Sequence, residues 1–184
     1  MRIITGSARG CKLKTPKGME TRPTADRIKE SLFNILQGKI AGKRILDIFA
    51  GTGNLGLEAL SRGAAEAVFV DKATAALISE NAEHTHLAAK SKIMRADALA
   101  ALLKMAAQKQ QFDLIFCDPP YRRGLWEKVL QFIDENDILA PGGLVIVEHG
   151  RDENQLPSLQ RLSRYRNETY GSTTQISFFA VHEA

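Results

Sequence analysis

Apolar positions along this chain keep two alternating rhythms from residue 44 onward. Short apolar runs, RILDIF, AVFVD, KIMRAD, FDLIFCD and GLVIVEH, alternate with stretches of helical spacing at 53–62, 73–89, 97–109 and 125–134. Short strands separated by helices imply parallel strands joined by right-handed crossovers. The tail departs from this rhythm. LQRLSRYRNETY and TTQISFFAVH read as two consecutive strands around Gly171-Ser172, a hairpin. The pattern therefore predicts an α/β fold whose sheet is mostly parallel with an antiparallel end.

Two elements precede this body. Ile28, Leu32, Ile35 and Leu36 form an apolar stripe that predicts a helix over 24–37, with Thr24 as its N-cap. Upstream, Arg2–Thr5 and Cys11–Lys14 flank a Gly-Ser-Ala-Arg-Gly turn, and Pro16 and Gly18 close a small hairpin. The expected division is a basic N-terminal hairpin extension over 1–22 and a single domain over 23–184. The chain shows no repeats, low-complexity segments or long linkers.

Composition narrows the class. A length of 184 residues with 44% hydrophobic positions suits one domain with a sizeable core. Met1-Arg2-Ile3-Ile4 is not followed by an apolar signal region, and no run approaches the ~18 residues of a membrane span. A soluble, cytoplasmic protein with no membrane contact is expected. Two cysteines, Cys11 and Cys117, make neither a disulfide framework nor a metal site, so no metal is expected.

Charge is unevenly spread. Residues 1–44 hold 11 Lys+Arg against 3 Asp+Glu, and the rest of the chain holds 14 against 18. A basic segment on a mildly acidic body points to a polyanion contact at the N-terminus.

The stretch LDIFAGTGNLG carries the first chemistry. Gly51, Gly53 and Gly56 match G-x-G-x-x-G between a strand and a helix, where a nucleotide cofactor meets the backbone. Nicotinamide dinucleotides would place a pyrophosphate on this turn. Asp47, four residues before Gly51, would repel that anion and suits a cationic ligand. S-adenosylmethionine carries an ammonium and a sulfonium and no phosphate. Asp71, at the end of the second strand, stands where a carboxylate accepts ribose hydroxyls. Asp97 ends the third strand, in line for an adenine amino group, and is equally a helix cap. Ala50, Lys72 and Ala98 neighbour these positions and belong to the same expected cofactor site, as does Asp118 at the end of the fourth strand.

The stretch FCDPPYRR carries the second. Asp118-Pro119-Pro120-Tyr121 follows the fourth strand, at the sheet edge that holds the glycine turn. Two prolines fix φ and remove two N–H donors. The stiff loop presents acceptors, the Asp118 carboxylate and the Pro119 carbonyl, followed by an aromatic ring. An exocyclic amine on a flat base fits this set. Its lone pair is delocalised into the ring, and accepting its hydrogens raises its electron density. Holding the nitrogen ~3–3.5 Å from the methyl carbon supplies much of the rate. Tyr121 is placed to stack on the base, a contact worth roughly 1–3 kcal/mol. A base in structured nucleic acid must be unstacked to reach the loop.

Asp47–Gly56, Asp71, Asp97 and Asp118–Tyr121 together resemble the motifs of class I S-adenosylmethionine-dependent methyltransferases of the amino-methylating kind. The Asp-Pro-Pro-aromatic signature is shared by adenine-N6, cytosine-N4 and guanine-N2 enzymes, so it names the attacked group and not the base. RIITGSARGCKLKTPKG followed by TRPTADRIKESLFNIL is similar to the bacterial small-subunit ribosomal RNA guanine-N2 methyltransferases, the RsmD family (guanine 966 type). The resemblance covers essentially the whole chain. It implies a Rossmann-like seven-stranded sheet in the order 3-2-1-4-5-7-6, strand 7 antiparallel, with helices on both faces. It implies that Arg22, Pro23 and Thr24 lie near the methionine end of the cofactor. The implied substrate is a guanine of 16S rRNA within the small subunit or a late precursor, met by a monomer. Arg2, Arg9, Lys12, Lys14, Lys17, Arg22 and Arg27 would then meet phosphates, and Arg122 and Arg123 would hold the target strand.

Other residues have simpler roles. Trp126 and Phe132 read as packing, His84 and His86 as surface, and Thr173-Thr174 as β-formers. His149 is a lesser candidate for the cleft. Three other readings remain open: a DNA adenine-N6 methyltransferase, an inactive nucleic-acid binder on the same fold, and a nicotinamide oxidoreductase. The first usually needs a separate domain to read base edges, and no insertion here is long enough for one.

Overall fold

The apolar runs become strands, and their C-terminal ends build one edge of a sheet. A computed structural model describes residues 1–17 and 23–182. Arg22 lies outside the described residues, as does the side chain of Thr24. The elements are α1 (Pro23–Ile35), β1 (Arg44–Ile48), α2 (Asn54–Ser61), β2 (Glu66–Val70), α3 (Ala75–His84), β3 (Ser91–Met94) and α4 (Ala98–Ala107). They continue with β4 (Phe112–Cys117), α5 (Leu125–Glu135), β5 (Leu139–Gly150), β6 (Leu162–Tyr170) and β7 (Thr174–Val181). The strands form one sheet in the order β3-β2-β1-β4-β5-β7-β6. The first five are parallel, and β7 runs antiparallel to both β5 and β6. This is the arrangement that the alternation, the tail hairpin and the family resemblance imply.

Side-chain alternation divides the core between the two faces of the sheet. Leu114, Phe116, Leu144 and Ile146 pack with Leu57, Leu60 and Phe33 on one face. Ile115, Cys117, Val145 and Val147 pack with Leu102, Trp126 and Val129 on the other. Strands covered on both faces read as unbroken apolar runs, which is why they stand out in the sequence. No described helix is long and apolar enough to cross a membrane.

The element read over 73–89 is shorter in the structure. Asp71 accepts the N–H groups of Ala73 and Thr74, and α3 starts only at Ala75. At its other end the Thr85 hydroxyl donates to the Asn81 carbonyl, and His86 adopts a φ of 60°, so the helix stops at His84.

The N-terminal segment forms a hairpin with a single bridge, Arg2 to Lys12. It packs into the same core as the sheet: Ile3, Ala8 and Leu13 are all buried. Its backbone is received by buried polar side chains. Glu58 accepts the N–H groups of Ile4 and Thr5, and Ser61 accepts that of Ala8. Asn81 accepts from the Lys14 N–H and donates to the Lys14 carbonyl.

Candidate active site

The glycine turn begins where β1 ends. Phe49, Gly51 and Gly53 have φ of 59°, 58° and 84°. A bulky residue in the left-handed region is strained, and such strain concentrates at functional turns. Gly51 and Gly53 reach the same region without a Cβ penalty. A Cβ at Gly51 would meet nothing within 4 Å, so the turn faces open space there. Gly56 is needed for a different reason. It is helical, and a Cβ would overlap the Phe69 ring of β2. The third glycine thus lets α2 lie close on the sheet.

Two carboxylates organise this turn. Asp47 Oδ2 accepts the Gly56 N–H at 2.9 Å. Asp47 is only 1% exposed, and its pKa is pushed up to about 8, chiefly by burial and further by Asp71, against the pull of the Gly56 bond. Asp71 Oδ2 accepts the Gly51 N–H at 3.0 Å, and its Oδ1 receives Ala73 and Thr74. Asp47, Asp71, Gly51 and Gly56 are therefore one hydrogen-bonded unit. Ala50 is buried within it, and Lys72 is exposed beside it. Asp97 stands apart and caps α4, accepting from Leu99 and Ala100. Ala98, the first residue of that helix, is buried.

Parallel pairing brings the Asp-Pro-Pro-Tyr loop beside this unit. Ile48 of β1 pairs with Cys117 of β4, and the Asp118 N–H reaches the Ile48 carbonyl at 3.4 Å. Cys117 in turn pairs with Val147 of β5, so Asp118 and Glu148 follow as neighbours on one face. Pro119 is buried and Pro120 exposed. Asp118 is exposed to solvent just beyond β4, with protein atoms packed densely beneath it. That packing raises its pKa well above the usual carboxylate range, and the neighbouring Glu148 carboxylate raises it further. The half-buried Tyr121 hydroxyl donates to Glu148 Oε1 at 3.2 Å and lies 3.2 Å from Thr174 Oγ1. Burial and the Glu148 charge push the phenol up as well.

A family model described as conserved hypothetical protein 95 matches residues 1–179. Ribosomal RNA small subunit methyltransferase D of Escherichia coli K12 is 40% identical over 161 residues, 86% of this chain and 79% of that protein. The namesake in Haemophilus influenzae is 37% identical over 155 residues, 83% of this chain and 80% of that protein. The solved structure of Escherichia coli yhhF has a TM-score of 0.84 at 37% identity, covering 100% of this chain and 99% of that one.

The chain belongs to this family.

These are RsmD-type class I methyltransferases, a group dependent on S-adenosylmethionine, and the Rossmann-like fold of the chain is theirs.

The basic residues expected at phosphates are spread over the surface near the N-terminal hairpin. Arg2, Arg9, Lys12, Lys14, Lys17 and Arg27 are exposed, and Lys14 is paired with Glu80 at 3.1 Å. Arg122 and Arg123 are exposed beside the Asp118–Tyr121 loop. Arg122 is held by Asp152 at 2.7 Å, and its N–H donates to Glu153. His149 does not reach the cleft. It is fully buried, stacked on Trp126 at 4.8 Å and bonded to Ser177 Oγ at 2.8 Å. Trp126 is buried in the core, as its helical position implies.

Three residues of this site escape a linear reading. Glu148 and Thr174 join the Asp118–Tyr121 loop only through strand pairing. Asn81 donates to the Thr52 carbonyl of the glycine turn at 2.9 Å while holding Lys14, so hairpin and glycine turn share one side chain. The acidic end of GLVIVEH, at the same sheet edge as FCDPPY, is the one signal that could have found Glu148.

Proposed function

We propose that this protein transfers a methyl group from S-adenosylmethionine to the exocyclic N2 amine of a guanine in 16S rRNA of the small ribosomal subunit. The observation that carries this reading is the adjacency of the glycine turn and the Asp118–Tyr121 loop on paired strands. A cofactor turn alone would allow many reactions. A turn beside a rigid loop of acceptors favours transfer to an amine.

The residues present fit the cofactor. Gly51 and Gly53 leave the backbone open to a close ligand, and Asp47 is a buried carboxylate whose ionised form gains from a neighbouring cation. Asp47, Ala50, Gly51, Gly53 and Gly56 would hold the methionine portion, together with Arg22 and Thr24. Asp71 and Lys72 would hold the ribose, and Asp97 and Ala98 the adenine side. When bound, S-adenosylmethionine supplies an electrophilic methyl group on a sulfonium.

The chain's own groups prepare the nucleophile. The Asp118 carboxyl and the Pro119 carbonyl accept the hydrogens of the amine and aim its lone pair. The raised pKa of Asp118 brings it toward the range where it takes up the proton the methylated nitrogen sheds. Tyr121, fixed through its hydroxyl by Glu148 and Thr174, offers its ring as a wall for the base. The exposed cations Arg2, Arg9, Lys12, Lys14, Lys17 and Arg27 would position the RNA through phosphates. The relatives named as ribosomal RNA small subunit methyltransferases support a small-subunit rRNA substrate, and a protein acting on it would work in the cytoplasm.

The test uses radiolabelled cofactor with three acceptors: small subunits lacking their methylations, large subunits and duplex DNA. Label confined to small-subunit RNA, and lost in Asp118→Ala, is the expected result. Label in the DNA would overturn the substrate.

A further inference from the structure

Glu148 fixes Tyr121 in the transfer step, but that step gives it no contact with the base. It stands at the C-terminal end of β5, next to Asp118 across the β4–β5 pair. Adjacent strands lie about 4.8 Å apart, so two carboxyl groups on one face at this register meet the same flat ligand. Glu148 is half-buried, and one of its oxygens is taken by the Tyr121 hydroxyl. That bond fixes the carboxylate in orientation and keeps Oε1 an acceptor. The second oxygen is left for the partner of Asp118.

We propose that Glu148 determines base specificity by accepting the N1–H of the target guanine while Asp118 accepts its N2 amine. The inference rests on the guanine-N2 reading above. The chemistry of base edges supports it. The pairing edge of guanine presents two adjacent donors, N1–H and the N2 amine. Adenine and cytosine present a donor beside a ring nitrogen that is an acceptor. Two carboxylates side by side match the first edge and repel the second. The Asp-Pro-Pro-aromatic loop selects an amine, and Glu148 selects which base carries it.

The bland alternative is that Glu148 only anchors Tyr121. A substrate analogue separates the two. 2-Aminopurine keeps the exocyclic 2-amine but has an acceptor at N1 in place of N1–H. Once the methylated nucleotide is mapped, ligated small-subunit RNA carrying guanine or 2-aminopurine at that position is assembled into particles. Initial rates are then compared for the wild type and for Glu148→Gln. Gln keeps the acceptor for Tyr121 and turns the second oxygen into an N–H donor, which suits 2-aminopurine.

The wild type is expected to favour guanine by about 10-fold or more, and Glu148→Gln to lower that preference by about 10-fold or more. Cofactor binding, measured by calorimetry, should be unchanged in the variant. An anchoring role alone would lower both rates together, and an unchanged ratio overturns the proposal. Should the variant fail to fold, the wild-type arm decides: a preference near unity overturns the contact, and a strong one supports it. Absence of any label at guanine N2 would instead overturn the underlying functional reading.

Discussion

Asp47 Oδ2 accepts the backbone N–H of Gly56 at 2.9 Å, which ties the end of β1 to the start of α2 across the glycine turn. The bond exists because α2 can approach the sheet at Gly56, where the Phe69 ring fills the space of a side chain. Gly56→Ala must displace that buried ring. We expect a stability loss of about 1–3 kcal/mol by thermal or denaturant unfolding. Cofactor affinity should fall with it in calorimetry, since the turn moves with the helix.

Asp47 also makes stability and binding depend on pH. Burial raises its pKa from 3.8 to about 8. An acid raised in the fold binds its proton more tightly there than in the unfolded chain. Its contribution is therefore complete below the unfolded pKa and is lost as pH rises toward 8. The free protein should lose stability between about pH 4 and pH 8, and Asp47→Asn should remove part of that slope. A cationic ligand favours the ionised carboxylate, so cofactor binding near neutral pH should release a proton. Calorimetry in buffers of different ionisation enthalpy would read that release, and Asp47→Asn should abolish it.

In the proposed mechanism Asp118 acts on the amine. Asp118→Asn and Asp118→Ala should lower kcat by about 10²- to 10⁴-fold. Cofactor affinity should be retained, because Asp47, Asp71 and the glycine turn are untouched. Parallel loss of cofactor binding would mean that Asp118 serves the turn instead.

The hairpin is locked in place by a buried ion pair. Lys29 Nζ lies 3.0 Å from Glu58 Oε1, with both side chains at or below 1% exposure. Lys29 also donates to the Arg2 carbonyl and to Asn54 Oδ1 at 2.8 Å, while Glu58 receives Ile4, Thr5 and Arg62. Removing one partner strands a charge in the interior. Glu58→Ala should cost about 3–5 kcal/mol in denaturant unfolding. Hydrogen exchange should rise at Ile4 and Thr5, whose N–H groups lose their acceptor.

The strands and the placing of Asp118 at the sheet edge of the glycine turn are legible in the sequence, while the strand order comes from the family resemblance. Apolar runs buried on both faces are a strong local signal, and the loops follow directly from them. The seam between hairpin and domain is not legible. Lys29 and Glu58 sit on helices and look like solvated charges, because periodicity carries no sign that a third element will cover them. Glu148 and Thr174 are hidden for another reason. They lie 30 and 56 residues beyond Asp118 and meet its loop only through the pairing of β4, β5 and β7. Asp97 shows the converse: a strand-end acid can be a helix cap, and here it is one.

The central claim is methyl transfer to guanine N2, and its most direct test is the identity of the modified nucleoside. Small subunits lacking their methylations would be incubated with the protein and isotopically labelled S-adenosylmethionine, digested to nucleosides and resolved by mass spectrometry. The account predicts label in N2-methylguanosine. Label in a methylated adenosine or cytidine, or none in a protein that binds the cofactor, would contradict it.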